Sequence, residues 1–313
     1  MFEEVSRDRW LNWYARLASK VGYCFAELEK LKLLDPEQES IYSALSWAER
    51  EDKVSLTYEL TNGSTFYYYV RGAWDKTLKM DLARAKAAER LGLIDDQILS
   101  LAYAAQLLMR QHRVDYAKDL LGKIKELLCK YDVSDLTLYE VCNAECLYLL
   151  AMHDIDGVRS VWRSVNIEDL QSQLSIENWF AMCHYELGEY EEARAIFQHV
   201  LEEANKFGDH RGLIAVPIRI IRIDLDLGNI AKVADRLLDI REKANAIQDR
   251  RYLALIEQLY ARFNILRGDL PAARTSLAVA IDLFERLGMR RELAETRQEL
   301  ARLEAQFAAP SPT

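Results

Sequence analysis

Apolar positions recur at helical spacing along nearly the whole of this chain. Tyr252, Leu255, Ile256, Leu259, Phe263 and Leu266 follow an i, i+3, i+4, i+7 pattern, and Ala273, Leu277, Ile281 and Phe284 resume it after a short break. A stripe of that period lies on one face of an α-helix, the face that has to be buried. The breaks share one layout: Glu186-Leu187-Gly188-Glu189-Tyr190, Asp226-Leu227-Gly228-Asn229-Ile230 and Leu266-Arg267-Gly268-Asp269-Leu270. Val70-Arg71-Gly72-Ala73-Trp74 has the same shape, and His112 and His153 take the glycine's place in two further segments. The anchors 72, 112, 153, 188, 228 and 268 are then 40, 41, 35, 40 and 40 residues apart. A fixed period of this size predicts a helical-repeat array.

A second punctuation keeps the same clock. Twenty residues after three of the anchors, Leu91-Gly92, Phe207-Gly208 and Leu287-Gly288 place a glycine behind a bulky apolar residue, with Tyr131-Asp132 and Ile247-Gln248 at equivalent places. Glycine just beyond an apolar helix is a stop signal, because it adopts left-handed backbone without a Cβ clash. Each unit therefore reads as helix A, a tight turn, helix B and a second stop. Seven residues before the anchors stand Thr65, Ala105, Cys146, Ala181, Ile221 and Ala261, and five residues after them Thr77, Ala117, Val158, Ala193, Val233 and Ala273. Mostly small residues are expected where A and B approach closely. A bulky residue follows nine past the anchor in Leu121, Trp162, Phe197, Leu237 and Leu277. This is the tetratricopeptide pattern. The third unit fits it least well, since its register sends Glu145 toward the core.

Two local signals bear on the ends of elements. Phe66-Tyr67-Tyr68-Tyr69-Val70 alone would favour a strand, but the repeat register makes it the end of the first A helix. Asp35-Pro36-Glu37-Gln38 predicts a helix start with Gln38 as capping-box partner, and Asp269 with Pro271 predicts another. The expected fold is all-α, a right-handed superhelical solenoid of tetratricopeptide-like helix pairs. Residues 1–50 form an N-terminal helical cap with an amphipathic stripe of Trp10, Trp13, Tyr14, Leu17 and Val21. Six helix pairs span 51–289, and 290–313 hold a capping helix and a frayed tail.

Composition agrees with this reading and narrows the function. Of 313 residues half are hydrophobic, only 12 are glycine and 5 proline, and the net charge is −9. With no surplus of cations to displace counterions from phosphates, non-specific nucleic-acid binding is not expected. No uncharged apolar run is long enough to span a bilayer. The acidic start Met1-Phe2-Glu3-Glu4 lacks the apolar core of a signal peptide. Cys24, Cys129, Cys142, Cys146 and Cys183 lie scattered in apolar helical stretches, as small core residues of a reduced, cytoplasmic protein would.

The remaining question is whether the same residues carry a catalytic or metal-binding pattern. Cys142 and Cys146 share a helix face, with Cys183-His184 one unit on, but the spacings match no common zinc motif. Five histidines, His112, His153, His184, His199 and His210, have no triad partners near them in sequence. No phosphate-binding G-x-x-x-x-G-K-[ST] loop occurs. The chain therefore reads as non-enzymatic, with no cofactor and no metal.

The N-terminal part carries a resemblance. Arg9-Trp10-Leu11-Asn12-Trp13-Tyr14-Ala15-Arg16-Leu17-Ala18 precedes Glu37-Gln38-Glu39-Ser40-Ile41-Tyr42-Ser43-Ala44-Leu45-Ser46-Trp47-Ala48, and Phe66-Tyr67-Tyr68-Tyr69-Val70-Arg71-Gly72-Ala73-Trp74 follows. This order resembles the helical region after the nucleotide-binding and winged-helix domains of prokaryotic STAND (NLR-like) signalling ATPases. There an acidic "E-x-x-N-L-x-x-A-L-x-W-A" helix precedes repeats opening with "f-w-x-x-r-G-x-W". Ser40 and Ile41 depart from the usual Asn and Leu. The resemblance implies a sensor region whose repeats recognise an activating ligand, with an upstream nucleotide-binding domain as a further partner. The alternative is a free-standing adaptor that gathers proteins through the same groove.

In either case the binding surface expected is the concave groove lined by the A helices. Ten residues before the anchors stand Asn62, Ala102, Asn143, Asn178, Ile218 and Gln258. Six before them are Phe66, Gln106, Leu147, Met182, Arg222 and Arg262, and three before them Tyr69, Met109, Leu150, Tyr185, Leu225 and Ile265. Side-chain amides both donate and accept, which suits the backbone of an extended protein or peptide ligand. The candidate site is therefore Asn62, Gln106, Asn143, Asn178, Met182, Tyr185, Arg222, Gln258 and Arg262. Its centre is expected between the third and sixth units, where Arg222 and Arg262 meet an acidic group of the partner or, within the chain, Asp226.

Overall fold

A computed structural model describes residues 2–22, 28–163, 170–209 and 211–308 of the chain. Cys24, His210 and the tail after Ala308 lie outside the described residues. The chain forms two compact units, residues 1–167 and 168–313.

The first unit holds α1 (Phe2–Ser19), a 3-10 segment (Leu28–Glu37), α2 (Gln38–Arg50), α3 (Val54–Val70), α4 (Trp74–Leu91), α5 (Ile94–Arg110), α6 (Val114–Leu128), α7 (Asp135–Ala151) and α8 (Ile155–Arg163). The second holds α9 (Leu170–Glu186), α10 (Tyr190–Phe207), α11 (Gly212–Asp226), α12 (Val233–Ile247), α13 (Arg250–Leu266), α14 (Leu270–Leu287) and α15 (Arg290–Ala308). No strand occurs among the described residues, and Phe66–Val70 is indeed the end of helix α3. Within each unit every helix packs against its successor in the repeat, and α5 packs on α7 as α11 does on α13.

The turns fall at the expected anchors. Gly72, Gly188, Gly228 and Gly268 have φ between 70° and 78°, and His112 and His153 adopt the same left-handed conformation at 57° and 58°. The hydrogen bonding is shared too. Gly268 N donates to the Ile265 carbonyl at 3.0 Å and Asp269 N to that of Asn264 at 2.9 Å, and His112 N and Arg113 N do the same toward Met109 and Leu108. These bonds satisfy the last carbonyls of each A helix. The second clock holds at Gly92, Gly208, Gln248 and Gly288, all left-handed, and reaches back to Asp52, twenty residues before Gly72. It slips once, because α6 ends at Leu128, before Asp132.

The register chosen from small residues is the packing register. All twelve residues seven before and five after the anchors are buried. Close approach of A to B leaves no volume there for an exposed side chain. Glu145 escapes the core at half-burial by pairing with Lys125 Nζ at 2.6 Å.

Two expectations at the N-terminal end are corrected. The buried face of α1 is Leu11, Tyr14, Ala15 and Ala18, while Trp10 and Trp13 are 38% and 52% exposed. The inward face is small at Ala18 because Gly63 of α3 meets it so closely that a Cβ on Gly63 would lie 2.5 Å from the Ala18 carbonyl carbon. An indole has no room in that contact. Asp35 does not begin a capped helix either: Pro36 lies inside the 3-10 segment, and Glu37 precedes α2 with no side-chain cap. Asp269 does cap α14, accepting from Ala272 N at 3.1 Å.

Candidate functional site

The N-terminal motif residues build a structural joint. Asp35 Oδ1 accepts from Arg71 Nε at 2.8 Å and from the Tyr67 hydroxyl at 3.0 Å, tying the 3-10 segment to the end of α3. Tyr68 donates its hydroxyl to the Gln38 carbonyl at the start of α2. Trp74, buried at the start of α4, stacks on Tyr69 at 5.7 Å and donates its indole N–H to the Tyr69 carbonyl. Lys76 pairs with Glu39 at 2.7 Å and lies 4.7 Å from the Tyr42 ring centre. Burial pushes the Asp35 carboxyl up, but the hydrogen bonds from Arg71 and Tyr67 outweigh it and hold the group below its ordinary range.

The candidate groove residues divide between the two units. In the first, Gln106 on α5 is buried and donates from Nε2 to Glu140 Oε2 of α7 at 2.7 Å, and Asn143 donates to the same oxygen at 3.3 Å. The two amides thus converge on an internal carboxylate. Burial pushes the Glu140 carboxyl above its ordinary value against these hydrogen bonds and the nearby Arg110. Asn62 is half-buried on α3. Sequence reasoning missed Glu140, although its place one helical turn before Asn143 was a usable signal.

In the second unit the A helices α9, α11 and α13 bring Tyr185, Arg222 and Arg262 around Asp226. Tyr185 donates its hydroxyl to Asp226 Oδ2 at 2.7 Å, and Arg262 Nη2 meets Oδ1 at 2.5 Å. Burial and the Asp226 hydrogen bond raise the Tyr185 phenol well above its ordinary value, while the Arg222 and Arg262 guanidiniums pull it down. Arg222 is half-buried, and among the described residues no hydrogen bond or ion pair engages its guanidinium. Asn178 Oδ1 accepts from Arg219 Nη1 at 2.6 Å, and Gln258 donates to Thr296 Oγ1 of α15 at 3.1 Å. Met182 packs on the apolar cluster around Phe197 and Ile220. The arginine series continues forty residues on to Arg302 of α15. Arg262 and Arg302 both pull down the Glu299 carboxyl, which burial raises.

These helix pairs define a tetratricopeptide-like helical-repeat protein. No known family profile and no curated protein matches the chain. One solved structure shares the architecture, and two others show a weaker likeness. A Rap protein complexed with Competence and Sporulation Factor superposes with a TM-score of 0.54 at 15% identity, over 91% of this chain and 86% of that one. A STAND protein with a tetratricopeptide repeat sensor from Pyrococcus horikoshii gives 0.44 at 13% identity, over 96% of this chain and 54% of its own. BtubC from P. vanneervenii gives 0.38 at 10%, over 70% and 94%.

Proposed function

We propose that this chain is a non-enzymatic binding module that takes an acidic protein or peptide segment on the A-helix face of residues 168–313. One observation carries the reading. Asp226 is the only carboxylate hydrogen-bonded within the Tyr185–Arg222–Arg262 group, among the described residues, and it is already shared by Tyr185 and Arg262. Arg222 therefore presents an uncompensated guanidinium on a chain of net charge −9. A half-buried cation beside a satisfied ion pair favours a carboxylate or phosphate from outside, which it can hold through a forked pair of hydrogen bonds. Asn178, Met182, Tyr185, Gln258 and Arg262 flank this point and would contact the rest of the segment. In the first unit, Gln106 and Asn143 would provide a separate polar point at Glu140, and Asn62 another on α3.

The test uses a labelled oligoglutamate peptide and the full chain. Arg222→Ala is expected to abolish binding without moving the melting temperature, and Arg222→Lys to weaken it, since lysine cannot fork. Undiminished binding by Arg222→Ala would reject the site.

The motif residues 37–48 and 66–74 support a finer reading, the sensor of a STAND-type ATPase acting in the cytoplasm. The alternative is a free-standing adaptor using the same face. A nucleotide-binding domain encoded in frame ahead of Met1 would favour the sensor, and a stop codon there the adaptor.

A further inference from the structure

Nine residues past the anchors, later pairs bury Leu121, Trp162, Phe197, Leu237 and Leu277. In the first pair that place belongs to Asp81 of α4, 2% exposed. Three residues further on, where Ile124, Val200, Ile240 and Ala280 are buried, the first pair has Arg84, 3% exposed. The first repeat thus carries two ionisable side chains at positions that other repeats keep apolar.

The two do not form an ion pair with each other. Arg84 Nη2 donates to Asp96 Oδ1 of α5 at 2.6 Å, and its guanidinium lies 5.9 Å from the centre of the Tyr58 ring on α3. Asp81 Oδ1 is buried with no hydrogen-bond partner among the described residues. The remaining cations of α4 that form ion pairs, Lys76, Lys79 and Arg90, are turned to Glu39, Glu49 and Asp52. Among the described residues of the elements packed on α4, the charged or titratable groups at this buried pair are Tyr58 of α3 and Asp96 of α5, and both are engaged with Arg84. Burial without a hydrogen-bond donor disfavours the ionised form of a carboxyl group and favours the protonated, neutral one.

We propose that Asp81 is a proton-linked latch: as a neutral acid it lets α4 pack between α3 and α5, and its ionisation loosens this first helix pair. The device is separate from the ligand face of residues 168–313 and does not depend on it. Burial pushes the Asp81 carboxyl up to about 8, against a smaller downward pull from Arg84. The sign follows from linkage. In the opened pair Asp81 returns to the ordinary value of 3.8. Over the interval between the two values the closed form binds the extra proton, so opening increases about tenfold per pH unit. Above the higher value both forms are ionised and the slope vanishes.

The experiment is amide hydrogen exchange of α3–α5 in the full chain, corrected for intrinsic exchange, from about pH 5 to 9. The wild type is compared with Asp81→Asn and Asp81→Leu, the latter supplying the residue of three other repeats. The expected result is an opening constant that rises with pH and levels off in the wild type, with that rise absent from both variants. An infrared carbonyl band of a neutral carboxylic acid should be present at neutral pH and missing from Asp81→Asn. An unchanged pH slope in the variants, or no such band in the wild type, would overturn the proposal. Should Asp81→Leu fail to fold, the Asp81→Asn slope and the band still decide.

Discussion

Arg222 and Asp226 stand one helical turn apart on α11, yet the carboxylate bonds to Tyr185 of α9 and Arg262 of α13 instead. Adjacent A helices are thereby joined through Asp226 while its own helix neighbour is left open. The same residue ties the stack together and, on the proposed function, would compete with an acidic ligand for the arginines.

That dual role gives opposite effects for one substitution. Asp226→Asn removes charge from two hydrogen bonds and is expected to lower stability by about 1–3 kcal/mol. It also releases Arg262 from that carboxylate beside Arg222, so affinity for oligoglutamate should rise. Urea denaturation and peptide titration on the same preparation test both, and a fall in affinity would refute the competition.

The turns predict a pair of opposite changes. An added Cβ at Gly188 meets nothing within 4 Å, so the constraint there is the left-handed φ of 78° and not lack of room. Gly188→Val should cost about 1–3 kcal/mol through backbone strain. His153, already left-handed, is the converse case, and His153→Gly should stabilise by about 0.5–1 kcal/mol. Equal denaturation midpoints for either variant and the parent would contradict the turn geometry.

Gly63→Ala tests how the N-terminal helix is seated. Its methyl would overlap backbone atoms of Ala18 and Ser19, which cannot swing aside as a flexible side chain would. A loss of about 1–3 kcal/mol is expected from overpacking. Gly122→Ala, with nothing within 4 Å of the added carbon, is the control that should not destabilise.

Acid should weaken the joint between the 3-10 segment and α3. The Asp35 carboxyl is held below its ordinary value in the folded chain, so its stabilising share is fully present above the unfolded value near 3.8. That share is lost as the pH falls through the folded value. Asp35→Asn should therefore be less stable than the parent at neutral pH, with the difference shrinking toward strong acid. Melting curves across that range measure it, and a difference independent of pH would exclude the ionic role.

The sequence by itself determined the repeat. A left-handed glycine turn and small residues at the closest approach of two helices are constraints on single positions, and a forty-residue clock repeats them often enough to be read. Even the histidines at 112 and 153 could be placed by that clock, and both are left-handed. Tertiary structure alone decided which charges meet. Asp35 reads locally as the start of a helix but answers Arg71, thirty-six residues on, because the chain folds back beside α3. Gln106 and Asn143 read as open groove amides but converge on Glu140, and the two arginines of one column divide into one paired with Asp226 and one with no ion pair among the described residues. Such partners depend on the distance and rotation between neighbouring helices, which no spacing along one helix encodes.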